Sequence, residues 1–342
     1  MSIVTVTGAN LNISDRSDIR SSGAFLLEVD QDGIAACQEA INAAKAFHAL
    51  EPRDKFIYDM VSSESAHGYY PSADVEACRY RAELPGKGSG PGRPKVHDRT
   101  NTIARTYETL DICLSNLEPG LEPIADKLFG RTAIETLPPA IAMHISKFDA
   151  WIQASIGAVS EVFERLGGLP IGTVQSTRSN SIDQLRLLHY PSSHDQGGLK
   201  AHTDYEWFTF CLESDSSGLE LLTPDTWTPV QIPHGCILIM FGDLAEVASN
   251  GRVRAATHRV RTSGERRYSI AYFCGASYSS RIVPIGDRGE VGQRPVPSEG
   301  ILFGEHLAGL TIANYQHLRA AIETGVLKAP FTIPSVNPLG VA

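Results

Sequence analysis

Four short runs decide how this chain folds: LRLLHYP (Leu185 to Pro191), HTDY (His202 to Tyr205), THRV (Thr257 to Val260) and RRYSIAYF (Arg266 to Phe273). Each is apolar or alternating in the way a strand requires, and Gly, Pro, Asp and Ser separate them. His202 and Asp204 stand two positions apart, and on a strand such residues share a face. His258 comes much later, on another expected strand. Two ligands from one strand end and a third from a distant strand can grip one metal ion from one side. The opposite side of the ion is then left open.

Working outward, the texture from residue 183 onward is β throughout. DQLRLLHY, WFTFCLE, LELLTP, WTPVQIP, CILIMFG, ATHRVRT, YSIAYFC and SRIVPI follow one another at short intervals. Many short strands at this spacing predict a sandwich or barrel, of which a double-sheet jelly roll is one solution. Upstream, residues 3–6 and 24–29 read as strands, joined through a short polar link, Ser14 to Ser22. Ile34, Cys37, Ala40, Ile41, Ala44 and Phe47 recur at helical spacing, and Pro52 marks the end of that helix. Residues 106–114 (TYETLDICL) alternate as a strand. Ile141, Ile145, Phe148, Ile152, Ile156, Val159 and Phe163 predict a long helix over 140–166, stopped by Gly167 and Gly168. A further helix is expected over 304–325.

Residues 68–101 are rich in Gly, Pro and basic residues and read as a loop. GKGSG within it lacks the G-x-x-x-x-G-K-[ST] pattern, so a phosphate loop is not indicated. A loop this long is a candidate lid over a site. The expected organisation is one catalytic domain over 1–342. Residues 1–175 form a mixed α/β support with the candidate lid 68–101, 176–285 form the jelly-roll core with the metal site, and 286–342 form a C-terminal helical segment.

Bulk properties narrow the function classes. The chain has 342 residues, 42% of them hydrophobic and 20% charged, with a net charge of −9. That composition is globular, and the acidic balance argues against a nucleic-acid partner. Six cysteines are scattered without a C-x-x-C pair, which fits buried thiols in a reducing compartment rather than a zinc site or disulfide framework. The N-terminus has no basic region followed by an apolar run, and no stretch approaches a membrane span. A cytoplasmic location without membrane contact is the expectation.

Two imidazoles and a carboxylate with open positions favour Fe(II) among the metals that imidazole suits. The series LRLLHYP–HTDY–THRV–RYSIAYF resembles the isopenicillin N synthase-like branch of the Fe(II)/2-oxoglutarate-dependent dioxygenases. The resemblance is specific over about residues 183–275. TYETLDIC and FGEHL extend it loosely to either side. It implies a mainly β fold with supporting α-helices around a double-stranded β-helix (jelly-roll) core. It also implies His202, Asp204 and His258 as metal ligands and Fe(II), 2-oxoglutarate and O2 as cofactor and co-substrates. Arg267 and Ser269 match the R-x-S motif that binds the distal carboxylate of 2-oxoglutarate. A guanidinium fork suits that role, and a strand puts the two residues on one face. Tyr190 matches a tyrosine that can hydrogen-bond the co-substrate.

Phe273 and Arg186 are the candidate substrate contacts, the first by stacking and the second through a carboxylate. A core phenylalanine and a structural ion pair are the competing readings. Glu206 stands where relatives carry a small residue; it could meet a cationic substrate group or turn to solvent, with solvent preferred. His189 and His194 are expected not to be ligands. The short link before Ser22 leaves little room for the helix usually found there. The expected activity is oxidative decarboxylation of 2-oxoglutarate coupled to C–H oxidation (hydroxylation, desaturation or cyclisation) of a small molecule, with a secondary metabolite as the guess. An iron oxidase independent of 2-oxoglutarate and a non-catalytic jelly-roll binder are the alternatives.

Overall fold

A computed structural model describes residues 3–7, 13–62, 65–72, 106–115, 117, 123–191, 198–214, 218–224, 226–261, 264–289 and 296–339. The strands are β1 (Thr5–Val6), β2 (Ala24–Glu28), β3 (Gly68–Tyr70), β4 (Glu108–Cys113), β5 (Gln184–Tyr190), β6 (Gly198–His202), β7 (Phe208–Ser214), β8 (Leu219–Thr223), β9 (Thr226–Pro229), β10 (Cys236–Phe241), β11 (His258–Arg261), β12 (Arg267–Cys274), β13 (Arg281–Ile282) and β14 (Ile301–Leu302). The α-helices are α1 (Ile13–Ser22), α2 (Gln31–His48), α3 (Pro52–Lys55), α4 (Pro123–Phe129), α5 (Pro139–Gly167), α6 (Asp243–Ala248), α7 (Phe303–Asn314) and α8 (Gln316–Glu323).

An eight-stranded sheet runs in the order β1-β2-β10-β7-β12-β5-β4-β3, and a four-stranded sheet in the order β6-β11-β8-β9. From β5 onward the chain alternates between them. β5, β7, β10 and β12 enter the large sheet, while β6, the pair β8–β9, and β11 enter the small one. That alternation is the double-stranded β-helix expected from the sequence.

Period-2 alternation gives the large sheet two different faces. Leu187, Phe208, Phe210, Ile237, Ile239 and Ile270 belong to a core under the helices, whereas Leu188, Tyr190, Cys211, Leu238 and Met240 belong to a second cluster facing the small sheet. The helical layer forms where the spacing predicts it. Asp30 caps α2 by accepting from the Gly33 N–H at 2.8 Å, an arrangement that contributes about 1 kcal/mol. Gly33 is also the contact with α5, since a Cβ there would come 2.8 Å from the Trp151 ring. The apolar stripe of α5, from Ile141 to Phe163, is buried along its length, and Gly168 ends the helix at φ 61°. Each such buried aliphatic or aromatic side chain is worth roughly 1.5–3 kcal/mol relative to exposure.

Three local expectations need correction. Residues 13–22 form a helix, not a link. Its mean polarity hides it, because among its described side chains Ile19 alone is a buried hydrophobic. Residues 68–70 are an edge strand on β4, so the expected loop begins later; its residues 73–101 lie outside the described ones. The tail helix is two helices, parted at Tyr315, whose backbone is extended (φ −105°, ψ 119°). Among the described residues all cysteines are free thiols, and no helix is long and apolar enough to cross a membrane.

Candidate metal centre

β6 ends at His202, and Asp204 lies two residues past that end, in the connection to β7 rather than on the strand where the sequence predicts it. His258 opens β11 and is paired in register with His202. The small sheet therefore brings the two histidines side by side, with ring centroids 4.2 Å apart. Asp204 Oδ1 lies 3.9 Å from Nε2 of His202 and 3.8 Å from Nε2 of His258. The three donor atoms fall within 4.8 Å of one another, a set that one ion with bonds of about 2.1 Å can gather.

The remaining atoms of the three residues are committed elsewhere. Nδ1 of His202 bonds the Lys200 carbonyl at 2.8 Å, and Nδ1 of His258 bonds the Ala256 carbonyl at 3.0 Å. A carbonyl can only accept, so each Nδ1 carries the proton and each Nε2 presents its lone pair. Burial, then the neighbouring His258, lowers the pKa of His202 to about 4, which keeps its ring neutral. Thr209 donates to Asp204 Oδ2 at 2.5 Å and leaves Oδ1 toward the histidines. Two neutral imidazoles and one carboxylate fit Fe(II).

The segment carrying His202 and Asp204 is anchored by a residue the sequence reading missed. Asp243, fully buried at the start of α6, accepts from Thr203 at 2.8 Å and from Asn337 at 2.8 Å, and pairs with His306 at 3.1 Å. Its backbone N–H donates to the Asp204 carbonyl at 2.9 Å. An aspartate at a strand end followed by a helix is an ordinary capping pattern, so nothing local marks it as the meeting point of three distant segments.

Deeper between the sheets, Arg267 opens β12, opposite Tyr190 on β5. Its guanidinium lies 4.1 Å from the Tyr190 ring centroid, and only 1% of its side chain is accessible. Its Nη1 donates to Glu213 of β7, an ion pair that the sequence reading did not anticipate. Beyond the approach of the guanidinium to the Tyr190 hydroxyl, its Nε and Nη2 and that hydroxyl are buried with no further hydrogen-bond partner in the chain. Buried donors are rarely left unpaired, so this trio is suited to an acceptor from outside the chain. Ser269 shares the face but donates to the Leu212 carbonyl at 3.2 Å.

Of the candidate substrate contacts, Arg186 is engaged by Asp111 through two bonds, at 2.7 and 3.0 Å, and by the Tyr315 hydroxyl at 2.8 Å. The ion-pair reading thus describes its state in this structure. Phe273, half-buried, lies beneath it with the guanidinium 5.6 Å from the ring. Glu206 does not turn to solvent. It is buried with Oε2 accepting from the Tyr205 N–H at 2.9 Å; burial, then the charge of Asp204, raises its pKa to about 8.

His189 lies on the opposite face of the large sheet and bonds Glu108 at 2.8 Å. There Glu108 also takes the Lys55 ammonium at 2.9 Å, the Tyr69 hydroxyl and, at 3.4 Å, His48. His48, Glu108 and His189 are near enough for a metal, but Lys55 already supplies the cation. His194 lies outside the described residues.

Comparisons with known proteins bear on the region that contains these residues. The family model described as the 2OG-Fe(II) oxygenase superfamily matches residues 181–276, a span that includes His202, Asp204, His258, Arg267 and Ser269. A gibberellin 3-beta-dioxygenase 1 of Oryza sativa subsp. japonica is 31% identical over 166 residues, 46% of this chain and 43% of the relative. The 2-oxoglutarate-dependent dioxygenase tropC of Talaromyces stipitatus is 33% identical over 129 residues, 36% of this chain and 40% of the relative. The chain thus spans about two fifths of these relatives' lengths. The fold likeness is wider. Neurospora crassa T7H, solved with alpha-KG and thymine, superposes with a TM-score of 0.65 at 18% identity, over 92% of this chain and 97% of that one. A putative 2OG-Fe(II) oxygenase family protein from Caulobacter crescentus gives 0.64 at 23% identity, over 89% and 97%. Residues 181–276 thus match the 2OG-Fe(II) oxygenase superfamily model, and the chain as a whole shares the fold of the solved structures it superposes on.

Proposed function

We propose that the chain is a non-haem Fe(II) oxygenase that couples oxidative decarboxylation of 2-oxoglutarate to C–H oxidation of a small molecule. The observation that carries this reading is the convergence of His202, Asp204 and His258, each with its outer atom already tied. Fe(II) held there would supply O2 activation, and 2-oxoglutarate would supply two of the electrons that O2 reduction needs.

The rest is the work of the chain's own residues. Arg267 Nε and Nη2 and the Tyr190 hydroxyl receive the distal carboxylate of the co-substrate. Leu188, Leu219, Leu221, Met240 and Val260 wall the interior with hydrocarbon and exclude water from it. Phe273 offers a ring face to substrate. Asp111, Arg186 and Tyr315 form a neutralised polar edge that suits a hydroxyl, amide or keto group better than a bare carboxylate. The gibberellin dioxygenases and the thymine-bound structure are in keeping with a small-molecule substrate, and a secondary metabolite is the class we favour.

A second reading, an oxidase that does not consume 2-oxoglutarate, is favoured by one observation: Arg267 already carries Glu213. The test is a substrate screen under O2 with succinate and product both quantified, on protein reconstituted anaerobically with Fe(II). One succinate per product supports the leading reading. Product without succinate supports the oxidase. Failure to bind Fe(II) removes both.

A further inference from the structure

Glu213 sits on β7 directly across from Ser269 of β12, on the face that holds Thr209 and Cys211. It is no loose surface group, since only 7% of its side chain is accessible. Its carboxylate is held by Arg267 and by backbone hydrogen bonds from Gly218 and Leu219. Gly218 packs against the same guanidinium, where a Cβ would come 3.1 Å from Arg267 Cζ and Nη1. One edge of Arg267 is therefore filled by the chain itself, and Nε and Nη2 remain.

We propose that Glu213 is a built-in carboxylate competitor for Arg267, which weakens the binding of the distal carboxylate of 2-oxoglutarate and so sets co-substrate affinity. This rests on the co-substrate reading above. One guanidinium cannot neutralise two carboxylates. When a second one arrives at Nε and Nη2, Glu213 must bear its repulsion, take up a proton, or leave Arg267 for another position. Each course costs affinity, because two like charges about 5 Å apart at a buried site differ from a neutral pair by enough to change binding about tenfold or more. Glutamine at this position keeps the shape and the acceptor oxygen for Arg267 while removing the charge.

The experiment is calorimetric titration of 2-oxoglutarate into Mn(II)-loaded wild type and Glu213→Gln. Mn(II) reports binding without turnover. The expected result is a Kd lower by about tenfold or more in the variant, with Mn(II) affinity unchanged. A Kd that is equal or higher overturns the inference, because Glu213 would then be orienting Arg267 rather than competing for it. That outcome leaves the co-substrate reading standing as long as wild type binds. If neither protein binds 2-oxoglutarate at millimolar concentration, the co-substrate reading fails and takes the inference with it.

Should Glu213→Gln not fold, wild type alone decides. 2-Oxobutyrate lacks the distal carboxylate, so competition by Glu213 predicts that wild type prefers 2-oxoglutarate over it by less than about tenfold. A preference of a hundredfold or more means that Arg267 is fully available, and the inference falls.

Discussion

Thr209 shows how much a single hydroxyl can determine here. By donating to Asp204 Oδ2 it selects which carboxylate oxygen faces the histidines. Groups that orient metal ligands from behind typically account for a 10–100-fold effect on metal affinity. Thr209→Val, which keeps the volume, is expected to weaken Fe(II) or Mn(II) binding by about that factor in a chelator competition with little change in thermal stability. An unchanged affinity would mean that the ligand set orients itself. Arg267→Lys tests the other anchor. An ammonium cannot present Nε and Nη2 as a planar pair, so the 2-oxoglutarate Kd should rise about tenfold or more, in line with charged hydrogen bonds of ~1.5–3 kcal/mol. At this scale the convergence of His202, Asp204 and His258 was legible, because chemistry and spacing coincide there. The sequence was silent on Glu213. A glutamate on a strand reads as a solvent-facing polar residue, and its partner is fixed only by the β7–β12 register between segments far apart in the chain.

Among elements, the seam between α2 and the large sheet is the least expected. Lys55, Tyr69, His48 and His189 converge on Glu108, and burial alone would raise the Glu108 pKa; the hydrogen bond with His189, joined by that from Tyr69, holds it well below the usual carboxylate range. Removing the cation from such a buried pair typically costs ~3–5 kcal/mol, so Lys55→Met should lower urea-denaturation stability by about that much. A loss under ~1 kcal/mol would show that the histidines alone satisfy the carboxylate. The strand alternation at residues 106–114 was readable, and with it the placing of Asp111 and Glu108 on opposite faces. The gathering of charges was not, because each partner comes from a different element. The tail was misread for a related reason. Helical periodicity runs through Tyr315, but its hydroxyl is drawn to Asp111 at 3.0 Å and Arg186 at 2.8 Å, and this tertiary pull overrides local preference at the break.

For the molecule as a whole, buried histidines make stability a function of pH. Burial is the main cause that pushes both His48 and His67 below the ordinary histidine value. Between those lowered values and about 6.5 the unfolded chain binds more protons than the folded one, so the stability they contribute is present above pH ~6.5 and lost as pH falls. Each group can contribute up to ~1.4 kcal/mol per pH unit in that window. Thermal midpoints should therefore drop from pH 7.5 to 5.5, and His67→Gln should flatten the slope. A level profile for wild type over that range would be incompatible with both rings being buried neutral. Glu108, with its lowered value, adds stability that is lost only below pH ~4.3 and leaves this window untouched. The global architecture was readable because the strand runs recur regularly from 183 onward. The support at residues 13–22 was not, since a polar helix with Ile19 as the one buried hydrophobic among its described side chains leaves almost no periodic trace.

Asp243 has a consequence that belongs to time rather than to equilibrium. Asn337, close to the end of the described chain, reaches Asp243 at 2.8 Å and Thr203 at 3.3 Å, and Thr203 lies between two of the ligands. The C-terminal segment thus ties down the stretch between His202 and Asp204, and its release would free that stretch to fluctuate. Shortening the chain before Pro334 should leave the ligand set complete but shorten the half-life of bound iron against a strong chelator, so that the tail governs how long the protein stays loaded.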